Sequence, residues 1–211
     1  MAQKKIEFYF DFLSPYSYVA WTWVRNQPYD FEYIPVSVPS IVASFDTKGP
    51  AQIEPKRNYL FKDLLRKTKL ENIPFTTPFN LPFNALYALR LSLKSSAKEK
   101  QKQIIDAIFR AGWEFGRDIG SDEDLKTILK EANLYSDELF SNMESREARA
   151  ELKLNIETGL SKGVFGVPSF IVDQELFWGF DAVPYLEMFL KGMDPLDQKK
   201  YQQFLLKFSP R

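Results

Sequence analysis

The start of the chain constrains the fold most, because a strand pattern there runs directly into a helix start. Apolar side chains stand at every second position of residues 4–12, which predicts a strand. Ser14 and Pro15 then mark the start of a helix that reaches about Asn26, since proline suits the first helical position. Residues 31–38 predict a second strand. Such a strand-helix-strand unit is normally parallel and right-handed.

The middle of the chain carries a helical pattern. Dense prolines and glycine in residues 39–55 predict an irregular connection. Beyond it, apolar residues recur at helical spacing up to residue 162, and no strand pattern intervenes. The predicted helices cover residues 56–69, 84–95, 97–118, a segment that starts between Ser121 and Asp124, and residues 136–162.

Strand patterns return near the end of the chain. Residues 168–172 and 175–178 are separated by two residues and predict a hairpin. A last helix is predicted to begin between Asp181 and Pro184. Strand, helix, strand, helical segment, hairpin and helix is the order of a thioredoxin-like α/β fold.

This order also predicts the domain organisation. The helical segment is expected to form a large all-helical insertion between the βαβ and ββα halves of the thioredoxin-like fold. We therefore expect a discontinuous thioredoxin-like domain of residues 1–50 and 163–211, with a helical insertion domain of residues 51–162.

Two missing residue types restrict the chemistry. The 211-residue sequence contains no cysteine and no histidine. A disulfide, a cysteine nucleophile, a Ser-His-Asp triad and a metal bound by cysteine or histidine are therefore excluded, and we expect no metal site. An enzyme of this composition must rely on carboxylates, lysine, tyrosine, serine or an external cofactor.

Charge and hydrophobicity restrict the partners. Lys plus Arg and Asp plus Glu both number 28, so the net charge is +0 and no global field attracts nucleic acid or an anionic membrane. Hydrophobic residues make up 45% of the chain, which is enough for a packed interior and excludes disorder of the whole chain. The sequence shows no apolar signal core and no apolar run of about 18 residues, so we expect a cytoplasmic protein.

Ser14 is the first candidate functional residue, and two interpretations of it stand side by side. As the residue before Pro15, it is suited to cap the N-terminus of the predicted helix. In a strand-helix-strand unit, however, the same position is a favourable site for an anion or a thiolate. The same hydroxyl can serve both purposes in different states.

The segment Gly166-Val167-Pro168 is the second candidate. A glycine and a proline before a strand can be simple turn residues. Alternatively, a cis bond before Pro168 would present the backbone N–H and C=O of Val167 to an extended peptide. Asp181, after Gly179, either caps the last helix or holds the α-amino group of a peptide-like ligand.

A third group consists of polar residues in connecting segments. Lys48, Lys56 and Arg57 are cations that in a neutral protein are usually solvated. Asn84 stands where a helix is predicted to begin and is most often a cap there. None of these residues indicates a function by itself.

Several segments together resemble a known family, the 2-hydroxychromene-2-carboxylate isomerases. These are close relatives of kappa-class glutathione transferases, within the DsbA-like branch of the thioredoxin superfamily. The resemblance spans nearly the whole chain in the right order. It is carried by FYFDFLSPYSY at 8–18, KGPAQIEPKRNYLFKDL at 48–64, LPFNALYALR at 81–90, FRAGWEFGRDI at 109–119 and GVFGVPSFIVDQELFWGFD at 163–181.

The resemblance implies a cofactor and a set of contacts. Redox members of the superfamily have Cys-x-x-Cys where this chain has Ser14-Pro15-Tyr16-Ser17. The resemblance therefore implies that glutathione supplies the thiol. Ser14 would then be the catalytic serine, which donates a hydrogen bond to the glutathione sulfur. Val167, beside Pro168, would pair with the cysteinyl backbone. The γ-glutamyl end would contact the turn Gly179, Phe180, Asp181 and Ala182. Substrate-side candidates are Thr47, Lys56, Arg57 and Asn84.

One position departs from the family pattern. Relatives often carry Asp-Arg at the turn, but here Ala182 follows Asp181. One basic contact to the ligand is therefore expected to be missing from that turn.

Three functions follow as hypotheses. The first, implied by the resemblance, is a glutathione-dependent isomerase acting on a small aromatic electrophile in aromatic-compound breakdown, expected as a homodimer. The second is a kappa-like glutathione transferase that acts on other small electrophiles. The third is a redox-inactive thioredoxin-fold protein that binds peptides at the cis-proline groove.

Overall fold

A mixed β-sheet lies at the centre of the molecule in a computed structural model that describes residues 4–208. The predicted domain limits at residues 1 and 211 lie outside this range. The strands of the described chain are β1 (Lys5–Phe10), β2 (Asp30–Pro35), β3 (Ser169–Val172) and β4 (Glu175–Trp178). They form a four-stranded sheet of order β2-β1-β3-β4, in which β1 and β2 are parallel and the β1–β3 and β3–β4 pairs are antiparallel.

Helices follow β1, separate β2 from β3 and follow β4. Within residues 4–208, no helix is both long enough and apolar enough to cross a membrane. Short 3₁₀ turns occur at Pro50–Gln52, Lys98–Lys100 and Phe180–Ala182, and a π-helical turn at Arg110–Glu114. The α-helices are α1 (Pro15–Val24), α2 (Val38–Ala43), α3 (Glu54–Leu70), α4 (Leu86–Leu91), α5 (Lys94–Ala97), α6 (Gln101–Phe109), α7 (Asp122–Glu131), α8 (Asp137–Glu144), α9 (Arg146–Ser161), α10 (Val183–Leu190) and α11 (Gln198–Phe208).

Serine caps explain two differences from the prediction. Residues 39–55 are not wholly irregular, because the Ser37 side chain accepts a hydrogen bond from the Ser40 N–H and starts α2. The continuous helix predicted over residues 136–162 is wrong. Ser145 has extended backbone angles and its side chain accepts from the Ala148 N–H, so it ends α8 and begins α9.

Other predicted boundaries are also wrong. The second strand ends at Pro35, earlier than predicted, and the helix expected from residue 84 begins at Leu86. The helix predicted over residues 97–118 leaves the α-helical form after Phe109 and continues as the π-helical turn. Helix α11 was not predicted.

Strand β1 is buried on both faces. On one face, Phe8 stacks on Phe170 of β3 with ring centroids 5.1 Å apart, and both lie in the large core cluster with Trp21 of α1. On the other face, Tyr9 lies in a second cluster with Ile41 of α2. Helices therefore cover both sides of the sheet. Aromatic pairs of this kind contribute about 0.5–1.5 kcal/mol each beyond the area they bury.

Candidate functional site

Ser14 lies in the turn that joins β1 to α1. It is the N-cap of α1, with φ −91° and ψ 112°, and its Oγ accepts a hydrogen bond from the Ser17 N–H over 3.2 Å. Within residues 4–208 the Ser14 hydroxyl donates no hydrogen bond. The cap uses only a lone pair, so the O–H remains able to donate to a ligand at the positive end of the helix.

Asp11 anchors this turn from inside the protein. Its side chain is 1% exposed. Oδ1 accepts from the Leu13 N–H over 2.9 Å and Oδ2 from the Val38 N–H over 2.7 Å. Burial raises the pKa of Asp11 to about 6, although the two backbone hydrogen bonds oppose the rise. Asp11 thus ties the Ser14 turn to the start of α2. The sequence analysis missed this role of Asp11. The only signal for it in the sequence was an acidic residue between apolar neighbours.

The predicted cis bond between Val167 and Pro168 is present. Ser169, the first residue of β3, pairs with Tyr9, so Val167 lies beyond the paired end of β3 and beside the chain leaving β1. Within residues 4–208, neither the N–H nor the C=O of Val167 has a hydrogen-bond partner. An open main-chain edge of this kind is suited to pair with an extended peptide segment.

The turn after β4 is bonded to the same proline. Gly179 has φ 84°, a left-handed conformation that favours glycine, and its N–H donates to the Pro168 carbonyl over 2.8 Å. Asp181 lies in the 3₁₀ turn that follows, which contacts α1. Asp181 does not cap α10, because Ala182 occupies the N-cap position of that helix. In the described chain, no side chain accepts a capping hydrogen bond at the start of α10.

Asp181 pairs instead with a lysine from α3. Lys67 Nζ lies 3.2 Å from Asp181 Oδ1 and 3.0 Å from Asp63 Oδ2. Tyr16, in the first turn of α1, donates its hydroxyl to Asp63 Oδ2 over 2.5 Å. The chain of contacts from Tyr16 through Asp63 and Lys67 to Asp181 links α1, α3 and the turn after β4. Sequence spacing gave no indication of this link.

The ionisation of these residues follows from their contacts. Burial alone would raise the pKa of Asp63, but hydrogen bonds from Tyr16 and Lys67 outweigh it and lower the pKa. Burial would likewise lower the pKa of Lys67, yet its two carboxylate partners raise it. Burial and the Asp63 carboxylate raise the pKa of Tyr16. At neutral pH Asp63 and Lys67 are therefore charged and Tyr16 is a neutral donor.

A surface pocket adjoins Tyr16. It is an open depression of about 400 Å³ between the first turn of α1, the 3₁₀ turn at Pro50–Gln52 and the start of α3. Of the substrate-side candidates, Lys56 lines it, whereas Thr47 and Arg57 are not among the lining residues. The lining side chains are Tyr16, Pro50, Pro55, Lys56, Tyr59 and Leu60.

The other substrate-side candidates do not line this pocket. Arg57 donates from Nη1 to the Ala51 carbonyl over 3.4 Å, and Thr47 is exposed in the connection before the 3₁₀ turn. Asn84 accepts from the Leu86 N–H over 3.1 Å and lines a second pocket of about 370 Å³, together with Asp118. The structure thus brings Lys56 close to Tyr16 but assigns Asn84 to a different pocket.

Curated relatives match over nearly the full length. A 2-hydroxychromene-2-carboxylate isomerase of Sphingobium xenophagum is 28% identical over 193 residues, which covers 89% of this chain and 98% of the relative. An isomerase of the same name from Pseudomonas putida is 28% identical over 190 residues, 86% of this chain and 92% of the relative. Glutathione S-transferase kappa 1 of Caenorhabditis elegans is 23% identical over 217 residues, 94% of this chain and 96% of the relative.

Solved structures share the fold. A 2-hydroxychromene-2-carboxylate isomerase has a TM-score of 0.80 at 23% identity, covering 90% of this chain and 95% of that one. The cytosolic disulfide reductase DsbM of Pseudomonas aeruginosa, solved with GSH, has a TM-score of 0.62 at 17% identity, covering 97% of this chain and 100% of that one. The predicted thioredoxin-like α/β fold and the resemblance to isomerases and kappa transferases are confirmed. Since the model of the DSBA-like thioredoxin domain matches residues 5–191, the chain belongs to the DSBA-like thioredoxin domain family.

Proposed function

We propose that this protein is a glutathione-dependent isomerase of 2-hydroxychromene-2-carboxylate-type substrates. One observation carries the proposal: the Ser14 hydroxyl caps α1 with a lone pair and keeps its proton available for an external sulfur. The chain has no cysteine of its own, so thiol chemistry at this position needs an external thiol. The names of the two curated isomerases support the choice of reaction.

Ser14 would favour the thiolate form of the cofactor. A thiol of pKa about 8.5 must fall to about 6.5 to be mostly ionised at neutral pH, which corresponds to about 2.7 kcal/mol. A hydroxyl donor contributes part of this free energy, and the partial positive charge at the N-terminus of α1 contributes a further part. In this proposal Ser14 is the catalytic residue.

The rest of the cofactor would lie along groups that the fold leaves accessible. The N–H and C=O of Val167 have no partner within residues 4–208 and suit the cysteinyl backbone. The Asp181 carboxylate, 79% exposed, suits the ammonium group of the γ-glutamyl end. Pro168 and Gly179 hold these two regions together through the hydrogen bond between them.

The substrate would enter the pocket beside Tyr16. Its walls include the rings of Tyr16 and Tyr59, which suit an aromatic ring, and the Lys56 side chain, which suits a carboxylate. When bound, glutathione supplies a thiolate for reversible addition to the substrate, which allows ring opening and bond rotation before elimination returns the thiol unchanged. Lys56 would hold the substrate carboxylate during these steps, and Ser14 would stabilise the sulfur before addition and after elimination. No histidine is required for this chemistry.

Glutathione titration of the wild-type protein tests the proposal. Binding should be saturable, with increased ultraviolet thiolate absorbance at neutral pH, and the protein should convert 2-hydroxychromene-2-carboxylate only when glutathione is present. Absence of binding at millimolar glutathione would remove the cofactor, and with it this function. We further propose that the protein acts in aromatic-compound catabolism, lies in the cytoplasm and forms a homodimer.

The kappa-like transferase is the second candidate, and the match to the Caenorhabditis elegans kappa enzyme favours it. It would use the same Ser14 and the same cofactor, but the product would keep the glutathionyl group. Mass analysis separates the two functions, since an isomerase returns free glutathione and a transferase consumes it. Binding of extended peptides without glutathione binding would favour the third candidate, a peptide-binding protein that uses the open Val167 edge.

A further inference from the structure

Two opposite charges lie side by side on the surface formed by α3 and the turn after β4. Lys67 Nζ is 3.2 Å from Asp181 Oδ1. The Asp181 side chain is 79% exposed and that of Lys67 is 21% exposed, so both remain reachable by solvent. The residue after Asp181 is Ala182, which brings no charge to the turn.

The Lys67 ammonium has a second carboxylate partner, that of Asp63. Asp63 Oδ1 and Oδ2 lie 3.2 and 3.0 Å from this ammonium group, and Tyr16 fixes Asp63 through its hydroxyl. An isolated exposed pair contributes little to stability, because both side chains lose freedom and water screens the charges. Here the ordering of Lys67 is achieved by Asp63, so its ammonium is positioned in advance of any ligand.

The spacing of the two charges defines what can bind across them. An α-amino acid head group carries an ammonium and a carboxylate on the same carbon atom. Its ammonium can face the exposed oxygen of Asp181 while its carboxylate faces the ammonium of Lys67. A ligand group with a single charge can satisfy only one member of the pair.

The position of the pair fits the end of a peptide-like thiol. The turn that carries Asp181 contacts α1, whose N-terminus holds Ser14, and it is bonded through Gly179 to Pro168 beside the open edge of Val167. A ligand whose thiol lies at Ser14 and whose backbone pairs with Val167 would therefore have its remaining end near the Lys67–Asp181 pair.

We propose that Lys67 is a ligand-binding residue that receives the α-carboxylate of the γ-glutamyl head of glutathione, while Asp181 receives its ammonium. Lys67 thus supplies from α3 the basic contact that Ala182 does not supply from the turn. This assignment rests on the proposed function and adds to it a named contact for one chemical group of the cofactor. It separates Lys67, which recognises a carboxylate, from Lys56, which lines the pocket for the substrate.

Two analogues of glutathione test the assignment. 4-Aminobutanoyl-cysteinylglycine lacks only the α-carboxylate, and glutaryl-cysteinylglycine lacks only the α-amino group. Loss of one charge-assisted contact should weaken binding of each analogue to the wild type by about tenfold. Calorimetric titration of glutathione and both analogues into wild type, Lys67→Met and Asp181→Asn gives the comparison.

The expected result is a crossed pattern. Lys67→Met should weaken glutathione about tenfold but leave the affinity for 4-aminobutanoyl-cysteinylglycine unchanged, since that ligand has no carboxylate to lose. Asp181→Asn should weaken glutathione and leave glutaryl-cysteinylglycine unchanged. Lys62→Met is the matched control, because Lys62 is an exposed lysine on the same helix with no ion pair in the described chain. It should leave all three affinities unchanged.

Other outcomes overturn the assignment in distinguishable ways. Equal weakening of glutathione and 4-aminobutanoyl-cysteinylglycine by Lys67→Met would mean that Lys67 only orients Asp181. Should this variant fail to fold, the wild-type comparison still decides, since equal wild-type affinities for glutathione and 4-aminobutanoyl-cysteinylglycine refute a carboxylate contact. Absence of wild-type binding to glutathione would instead refute the proposed function itself.

Discussion

The Tyr16 hydroxyl donates a hydrogen bond to Asp63 Oδ2 over 2.5 Å and so joins the first turn of α1 to the middle of α3. Ser14 caps the same helix two residues earlier, and Lys67 accompanies Asp63 on the same face of α3. The helix that presents the candidate catalytic hydroxyl is thereby attached to the helix that lines the adjoining pocket. This contact makes the arrangement of the site sensitive to a single phenol oxygen.

Tyr16→Phe should therefore destabilise the fold. A hydrogen bond to a charged partner contributes about 1.5–3 kcal/mol, and a partly solvated one falls near the lower limit, so we expect a loss of about 1.5 kcal/mol in urea unfolding. Tyr59→Phe is the control, because Tyr59 is 64% exposed in the same pocket and its hydroxyl has no hydrogen bond within residues 4–208. Equal stability of Tyr16→Phe and wild type would show that the Asp63 contact contributes nothing.

Ser14→Ala should separate stability from activity. Loss of an N-cap costs about 1 kcal/mol, so the variant should fold, while loss of the donor to the sulfur should remove most of the glutathione-dependent turnover. Ser145→Ala is the matched control, because Ser145 caps α9 in the same manner, accepting from the Ala148 N–H over 3.0 Å. It should lose similar stability and keep full activity. Turnover that survives in Ser14→Ala would refute the catalytic assignment.

Asp11 should make stability depend on pH in acid solution. The pKa of Asp11 is about 6 in the folded protein, against 3.8 for the ordinary group. Between these two pH values the folded state therefore binds a proton that the unfolded state has already released. The stabilising contribution is full below pH 4, falls as the pH rises, and is lost above pH 6. Its total is about 3 kcal/mol.

Asp11→Asn should remove this component, because asparagine does not titrate. The free energy of unfolding of the variant, subtracted from that of wild type at each pH between 4 and 6, should fall by about 2 kcal/mol across this window, which is most of the total. The other titrating groups cancel in the subtraction. A difference that stays constant with pH would contradict the raised pKa.

Lys56→Gln should change the kinetics for substrate but not the affinity for glutathione. Lys56 is exposed at the rim of the pocket, so the loss of its charge should raise KM for a carboxylate substrate by about fivefold. Lys56→Arg should restore much of the lost affinity, and Lys62→Gln, on the same helix, should behave as wild type. An unchanged KM would exclude Lys56 from the substrate side.

The parts of the fold that were predicted are those determined by local pattern. Alternation predicted β1, Ser14 with Pro15 predicted the start of α1, and the two short apolar runs after residue 167 predicted the hairpin. The site residues that a motif marks, Ser14 and Val167, follow from the same patterns. Their roles and the division into domains stay predictions.

The parts that were missed depend on the three-dimensional arrangement. Lys67 stands among other lysines in the sequence Arg-Lys-Thr-Lys, and nothing in that spacing distinguishes it until α3 packs near Asp181. Asp11 was missed because its two partners, the N–H groups of Leu13 and Val38, meet only when α2 turns back toward β1. Ser145 was missed because one serine inside a long helical pattern can be either a helical residue or a cap.

The antiparallel pairing of β1 with β3 has a consequence for how the protein is made. During synthesis, β1 can pair with β2 early, but its other neighbour begins only at Ser169. Until then, a strand rich in phenylalanine has an open edge, and contacts of such long sequence separation form slowly. We therefore expect the nascent chain to be prone to aggregation while Ser14 has been synthesised but Val167 and β3 have not. Completion of the proposed glutathione site and protection of the exposed strand edge would then depend on the same late segment of the chain.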